Sequence, residues 1–265
     1  MRKTFASDFV FQVFSLVISF LIVHAIYIAE IRPMAAAFKK EQNALMKSNP
    51  TYVPQKSLHV ILGDYEQESE IILMFWALAI LSFKGLVAYR QQRHLDLDFI
   101  GIPENARISV DSARLIAERI VKNVPQKQQA YILPRVLLSA IDRFTTTRNV
   151  QDASTVVHST CESEGDRAES ELSVIRYIAW AIPSIGFIGT VRGIGDALSQ
   201  ANQAVHGDIT GVTDSLGVAF NSTLIALLVS IVLMFIIHHV QLMQERLVLG
   251  TERYCESMLI SRLQV

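Results

Sequence analysis

Apolar residues gather in four long blocks, 9–29, 71–89, 178–197 and 216–239. Each is close to the roughly 20 residues that carry a helix across the hydrocarbon core of a bilayer. The blocks are continuous rather than alternating, which excludes the short alternating strands of a membrane barrel. Between the second and third blocks the apolar positions change to helical spacing: Val110, Leu115, Ile116, Ile120 and Val121 predict an amphipathic helix. A second helical stretch covers about 129–144, and a third starts near Asp152 and runs into the third block. The pattern therefore predicts an all-α integral membrane protein, with four transmembrane helices and a helical cytoplasmic stalk domain.

The segments follow directly. Residues 1–30 hold the N-terminus and first span, 31–70 an external segment, 71–89 the second span and 90–176 the cytoplasmic helical domain. Residues 177–197 form the third span, 198–215 an external loop, 216–240 the fourth span and 241–265 a cytoplasmic C-terminal helix marked by Leu242, Leu247, Tyr254, Met258 and Leu259. A short external helix is expected over 34–46, ended by Pro50 and Pro54. The first block follows Arg2 and Lys3 as a secretory signal would, but it exceeds the 7 to 15 apolar residues of such a signal and no small-x-small cleavage site closes it. It reads as a retained anchor.

Charge sets the orientation. Charged residues are only 18% of the chain, against about 25% in soluble domains. The 198–215 loop has no Lys or Arg and is expected outside, whereas 90–176 carries twelve of the 24 basic residues, Arg90 and Arg93 directly after the second span. Both termini then lie in the cytoplasm. Arg32, Lys39, Lys40, Lys47 and Lys56 in the first external segment run against this assignment, and the lysine- and arginine-free loop outweighs them. Lys84, near the inner end of the second span, is expected to snorkel to the interface. With a net charge of -1 and no basic stripe interleaved with aromatics, nothing points to nucleic acid. Cys161 and Cys255 are isolated and lack metal-ligand spacing, so no disulfide, metal or cofactor is expected.

The last two spans are the informative ones. In the third, Pro183, Gly186, Thr190, Gly193 and Ala197 share one helical face with Gly189 beside it. Such a face lets another backbone approach closely, and Gly189 with Gly193 makes the small-xxx-small spacing. In the fourth, Ser215, Ala219, Thr223, Ala226 and Ser230 share a face, with Ser222 adjacent and Asn221 further round. A single membrane Ser or Thr can simply bond its own helix at the i-4 carbonyl. Asn221 is less easily accounted for in that way, and polar groups at this depth face protein or water rather than lipid.

The third span resembles the signature helix of the MotA/TolQ/ExbB proton channel family, roughly A-P-x-L-G-L-x-G-T-V-x-G-I, at Ala181, Pro183 (shifted by one), Gly186, Gly189, Thr190, Val191, Gly193 and Ile194. The fourth is similar to the family pattern A-x-x-(A/T)-T-x-x-G-L at Ala219, Ser222, Thr223 and Leu227, with Ala226 in the glycine position. The resemblance implies a homopentamer in a bacterial inner membrane around two copies of a MotB/ExbD/TolR-like subunit, a 5:2 complex. That partner has a single transmembrane helix with a membrane-embedded Asp. The resemblance also implies that Thr190 and Thr223 line the path of a transported H+ or Na+, with Ser222 and Asn221 nearby and Pro183, Gly186, Gly189, Gly193, Ala219 and Ala226 packing around it. The chain departs from the pattern at Val218, where ExbB-like members carry glutamate, at Arg192, often tryptophan, and in lacking the later proline of the fourth span.

The charges support the same division of labour. No Asp or Glu lies inside the four blocks, and Asp196 and Asp214 stand only at their ends. A proton path through hydrocarbon normally uses an ionisable group, so a partner carboxylate is expected. Arg192, four residues before Asp196, predicts an i,i+4 ion pair, with a gating role as the alternative. His24, His238 and His239 are expected at wet interfaces, Trp76 in packing or against lipid, and Trp180 as an interfacial anchor. Asn221-Ser222-Thr223 matches a glycosylation acceptor but lies within a span. The glycines of 186–195 have no preceding strand and no following Lys-Ser/Thr to make a phosphate loop, and no grouping marks an enzyme. A non-conducting scaffold and a transporter subunit are the rival readings.

Overall fold

The computed structural model describes residues 2–48, 52, 55, 57–103, 106–126 and 128–264. Pro50, Pro54 and Lys56 lie outside the described residues. The described chain is helical, and its only β pairing is an isolated bridge between Ile108 and Leu263. The elements are α1 (Arg2–Ile26), α2 (Arg32–Ser48), α3 (Leu58–Leu62), α4 (Tyr65–Gln92), α5 (Val110–Asn123), α6 (Ile132–Thr147), α7 (Val150–Ser199), α8 (Ala201–Val205) and α9 (Thr210–Tyr254). Four helical stretches, Phe9–Met46, Tyr65–Gln92, Val150–Ser199 and Thr210–Arg262, are long and apolar enough to cross a membrane. The protein is an all-α, multi-pass membrane protein.

The chain divides into two compact units. The first comprises Met1–Leu81 and Val174–Ile237. Here α1 passes into α2 through a π-helical turn, Tyr27–Ile31, so the expected external helix is continuous with the first span instead of being separated from it. Val23, Tyr27 and Ile72 make an apolar contact between this helix and α4, and the Trp76 indole donates to the Gln12 carbonyl at 2.9 Å. Trp76 is thus a packing residue. Helix α4 begins six residues before the apolar block does, at Tyr65, because Glu66, Gln67 and Glu68 continue its helical path. Apolarity alone marks where a helix enters hydrocarbon; it does not mark where the helix starts.

The second unit comprises Ser82–Ser173 and His238–Val265. Ser109 caps α5 by accepting from the Ser112 amide. The apolar positions of α5 and α6 meet in a core that includes Ile116, Ile120, Leu137, Ile141 and Phe144, and both cysteines are buried within it as free thiols. Arg148 ends α6 in the left-handed region at φ 53°, its amide bonded to the Phe144 carbonyl at 2.8 Å, and α7 starts two residues later. The C-terminal segment is not helical to its end. It leaves α9 through a π turn, Cys255–Leu259, and Ile108 then donates to the Arg262 carbonyl while Gln264 donates to that of Ile108. This seats Leu259, Ile260 and Leu263 in the core. Lys84 is buried and bonds Glu171, which corrects the expectation that it snorkels: a carboxylate within the unit replaces interfacial water.

Candidate functional site

In the first unit, α7 and α9 turn their smallest residues toward each other and their largest ones away. Phe187, Ile188 and Val191 on α7 and Phe220, Leu224 and Ile231 on α9 are exposed. Gly186, Gly189, Gly193, Ala219 and Ala226 are buried. A soluble core would be the reverse. In a membrane, lipid accepts the large side chains, and association depends on close backbone approach. A Cβ on Gly186 would lie 2.5 Å from that of Ala226, one on Gly189 2.1 Å from Ser222 Oγ, and one on Gly193 2.7 Å from the Ser215 carbonyl oxygen. The two small faces read from the sequence therefore pack against each other within one chain.

Pro183 creates a defect in α7 that α9 repairs. Proline has no amide hydrogen, so the Ala179 carbonyl four residues back loses its helical donor. The Ser230 hydroxyl donates to that carbonyl at 3.1 Å. We expect Ser230→Ala to cost about 1 kcal/mol, because it leaves a carbonyl unsatisfied away from water. In a Pro183→Ala background, where the backbone amide returns, the same change costs less. Unfolding of the two single variants and the double variant in detergent measures the difference.

At the centre of the seam the hydroxyls of Thr190 and Thr223 hydrogen-bond to each other. Thr190 Oγ1 also lies 3.2 Å from the Gly186 carbonyl of its own helix and 3.0 Å from the Ala219 carbonyl of α9. Thr223 Oγ1 reaches across to the Gly186 carbonyl at 3.1 Å. The two hydroxyls have one proton each. Thr190 can donate to Ala219 and accept from Thr223, or Thr223 can donate to Gly186 and accept from Thr190. The pair thus has two interchangeable hydrogen-bond arrangements and presents lone pairs in either one. Self-bonding to the i-4 carbonyl describes only part of Thr190 and none of Thr223. Ser222 is fully buried, its hydroxyl without a partner among the described residues, whereas Asn221 is half-buried, one position round the helix from Ser222.

The end of the bundle where α4 begins holds charges that the sequence reading did not bring together. Arg192 bonds Glu66 of α4 at 2.8 Å, in place of the expected pair with Asp196. The expectation failed because it considered one helix alone, while α4 brings a carboxylate to the same level. Glu68 accepts from His24 at 2.6 Å and also from Arg32, so His24 is half of a partly buried polar contact. Glu70 is fully buried. It lies one residue before the second apolar block, so the blocks themselves hold no carboxylate while the helix that carries one of them does. The signal was the spacing Glu66-x-x-x-Glu70, which puts both on one face of a helix that starts earlier than its apolar block.

Four apolar helices, with a small-residue seam carrying paired hydroxyls between two of them, define a multi-pass membrane protein. Residues 128–253 match the model of the MotA/TolQ/ExbB proton channel family. That segment, just under half of the chain, holds α6, α7 and nearly all of α9, and over it the chain is similar to this family. No curated protein and no solved structure matches the chain.

Proposed function

We propose that the chain is the channel-forming subunit of an ion-driven motor in a bacterial inner membrane. Five copies surround the single transmembrane helices of two partner subunits, with both termini of each copy in the cytoplasm. H+ or Na+ flowing down its gradient cycles a membrane-embedded Asp on the partner helix, and the ring does mechanical work on the partner pair. The observation that carries this reading is the bonded pair Thr190 and Thr223, set between glycine and alanine faces inside the family segment. Neutral hydroxyls do not store charge at physiological pH. They offer oxygen atoms that can solvate a passing ion or orient a partner's carboxyl group, while Ser222 and Asn221 extend the polar surface along α9.

The driving force sets the scale. One charge crossing 100 mV releases about 2.3 kcal/mol, so a strong mechanical step needs several ions. The test is the Thr190→Val, Thr223→Val double variant, expressed with the partner encoded beside it. We expect the complex to assemble in detergent while ion flux in proteoliposomes is lost, and the Ser, Ser variant to retain flux. Normal flux in the Val, Val variant would instead mark the chain as a scaffold. Solute uptake by the chain without any partner would mark it as a transporter subunit.

A further inference from the structure

The channel reading assigns the ion-binding carboxylate to another chain, yet this chain buries one that the reading leaves unused. Glu70 is 0% exposed, and neither of its carboxyl oxygens has a hydrogen-bond partner among the described residues. An ionised carboxylate without a donor carries a desolvation penalty of several kcal/mol. The protonated acid carries only that of a neutral polar group.

The surroundings do not compensate a charge. On α4 itself, Glu66 precedes Glu70 by one turn on the same face and acts on it as a like charge. From α7 comes Arg192, which is engaged by Glu66 at 2.8 Å. From the first helix comes Tyr27, a neutral phenol within electrostatic reach whose hydroxyl is also unpartnered. From α9 comes Ser222, an uncharged hydroxyl that approaches Glu66 across Gly189.

Two further side chains mark this place as a polar site and not merely a misplaced acid. Gln67 is 0% exposed with both amide atoms unpartnered, and it falls with Glu66 and Glu70 inside about 100° of the α4 circumference. Ser222 is 0% exposed with its hydroxyl unpartnered. Its Oγ lies 2.1 Å from where a Gly189 Cβ would be, and Glu66 Cγ lies 3.1 Å from that same point. Glycine at 189 thus leaves room for a hydroxyl from α9 and a glutamate from α4 to approach each other. Ser222 is in turn the neighbour of Thr223 in the hydroxyl pair.

We propose that Glu70 is a proton-binding site of this chain, a carboxyl that takes up and releases a proton at the end of the bundle where α4 begins, with Gln67 beside it on α4 and Ser222 beside Glu66 one turn away. Glu66, whose side chain is 11% exposed, stands one turn nearer the helix start and forms the gate through which the proton exchanges. Delivery from Glu70 toward the Thr190 and Thr223 pair rests on the channel reading; the proton binding itself does not.

The full-length protein in lipid nanodiscs tests the binding by infrared spectroscopy. A carboxylic-acid C=O stretching band is expected at neutral pH. Glu70→Gln should abolish it and Glu66→Gln should leave it in place. Dicyclohexylcarbodiimide, which modifies protonated carboxyls in apolar surroundings, should label Glu70 in the unmutated protein, as read by peptide mass spectrometry. No acid band at neutral pH, or a band that survives Glu70→Gln, would overturn the proposal. Protection from the carbodiimide by Na+ at fixed pH would overturn it in favour of a metal-cation site. In the reconstituted complex, Glu70→Gln is expected to lose proton flux. Unchanged flux together with loss of the band would overturn the delivery step alone. Failure of the channel reading has a separate signature: no flux from the unmutated complex, with the band intact.

Discussion

Gly189→Ala is expected to disrupt the α7–α9 seam, and Gly189→Ala combined with Ser222→Gly to restore it. The added methyl would lie 2.1 Å from Ser222 Oγ, 2.7 Å from Ser222 Cβ and 3.1 Å from Glu66 Cγ. The first two contacts are closer than a methyl carbon tolerates from a non-bonded neighbour, and they come from one short side chain on a helix that cannot yield. Overpacking of this kind costs about 1–3 kcal/mol where the surroundings adjust, and a seam with backbones in near contact has little room to do so. Glycine at position 222 removes both offending atoms and leaves only the flexible Glu66 stem, which can rotate away. Gly193→Ala is the contrasting case. Its methyl would meet the Ser215 carbonyl oxygen at 2.7 Å and the Ala219 backbone nitrogen at 2.8 Å. No side-chain deletion relieves a backbone clash, so Ala219→Gly should not rescue it. Monodisperse yield after detergent extraction and the unfolding midpoint read both outcomes.

The difference between those two glycines also shows what a sequence can and cannot disclose. Helical spacing alone puts Gly186, Thr190 and Gly193 on one face, with Gly189 beside it, and Ala219, Thr223 and Ala226 on another, because a 3.6-residue period is a property of the chain itself. That these faces meet each other, with the two threonines bonded where they cross, needs the path of the chain between them. The same holds for Ser230. Its place on the small face was legible, but its bond to the Ala179 carbonyl orphaned by Pro183 depends on the register of two helices whose bonded residues are 51 positions apart.

Charged residues were read least well, for a physical reason. A hydropathy block ends at the first charge, so Glu66, Glu68 and Glu70 were assigned to an external segment although they occupy the first two turns of α4. Spacing along one helix, moreover, predicts only pairs within that helix. The structure pairs across helices instead: Arg192 with Glu66, Lys84 with Glu171, and His24 and Arg32 with Glu68. The spans reveal the apolar surface, whereas the ends of the spans hold the electrostatics.

Glu68 carries the largest electrostatic effect expected outside the hydroxyl seam. Its side chain is 7% exposed and accepts from both His24 and Arg32, tying the first helix to the start of α4. Removing one partner of a buried ion pair costs about 3–5 kcal/mol, since the surviving charge keeps its desolvation penalty. Arg32 is 26% exposed and its guanidinium lies 4.2 Å from the Tyr65 ring centroid. Water and that ring therefore retain part of the compensation, so about 2 kcal/mol is the expected loss for Glu68→Ala. Glu68→Gln should be nearly as damaging, because an amide keeps the shape but offers one acceptor where two donors converge, and turns its own NH2 toward one of them. His24→Ala should cost less than either: the imidazole is 40% exposed, and Arg32 still satisfies the carboxylate. A double-mutant cycle on Arg32 and Glu68, read by chemical unfolding in detergent, should give a coupling energy clearly above that for His24 and Glu68. Equal couplings would mean that the two donors share the carboxylate evenly, and that the partial exposure of His24 does not weaken its bond.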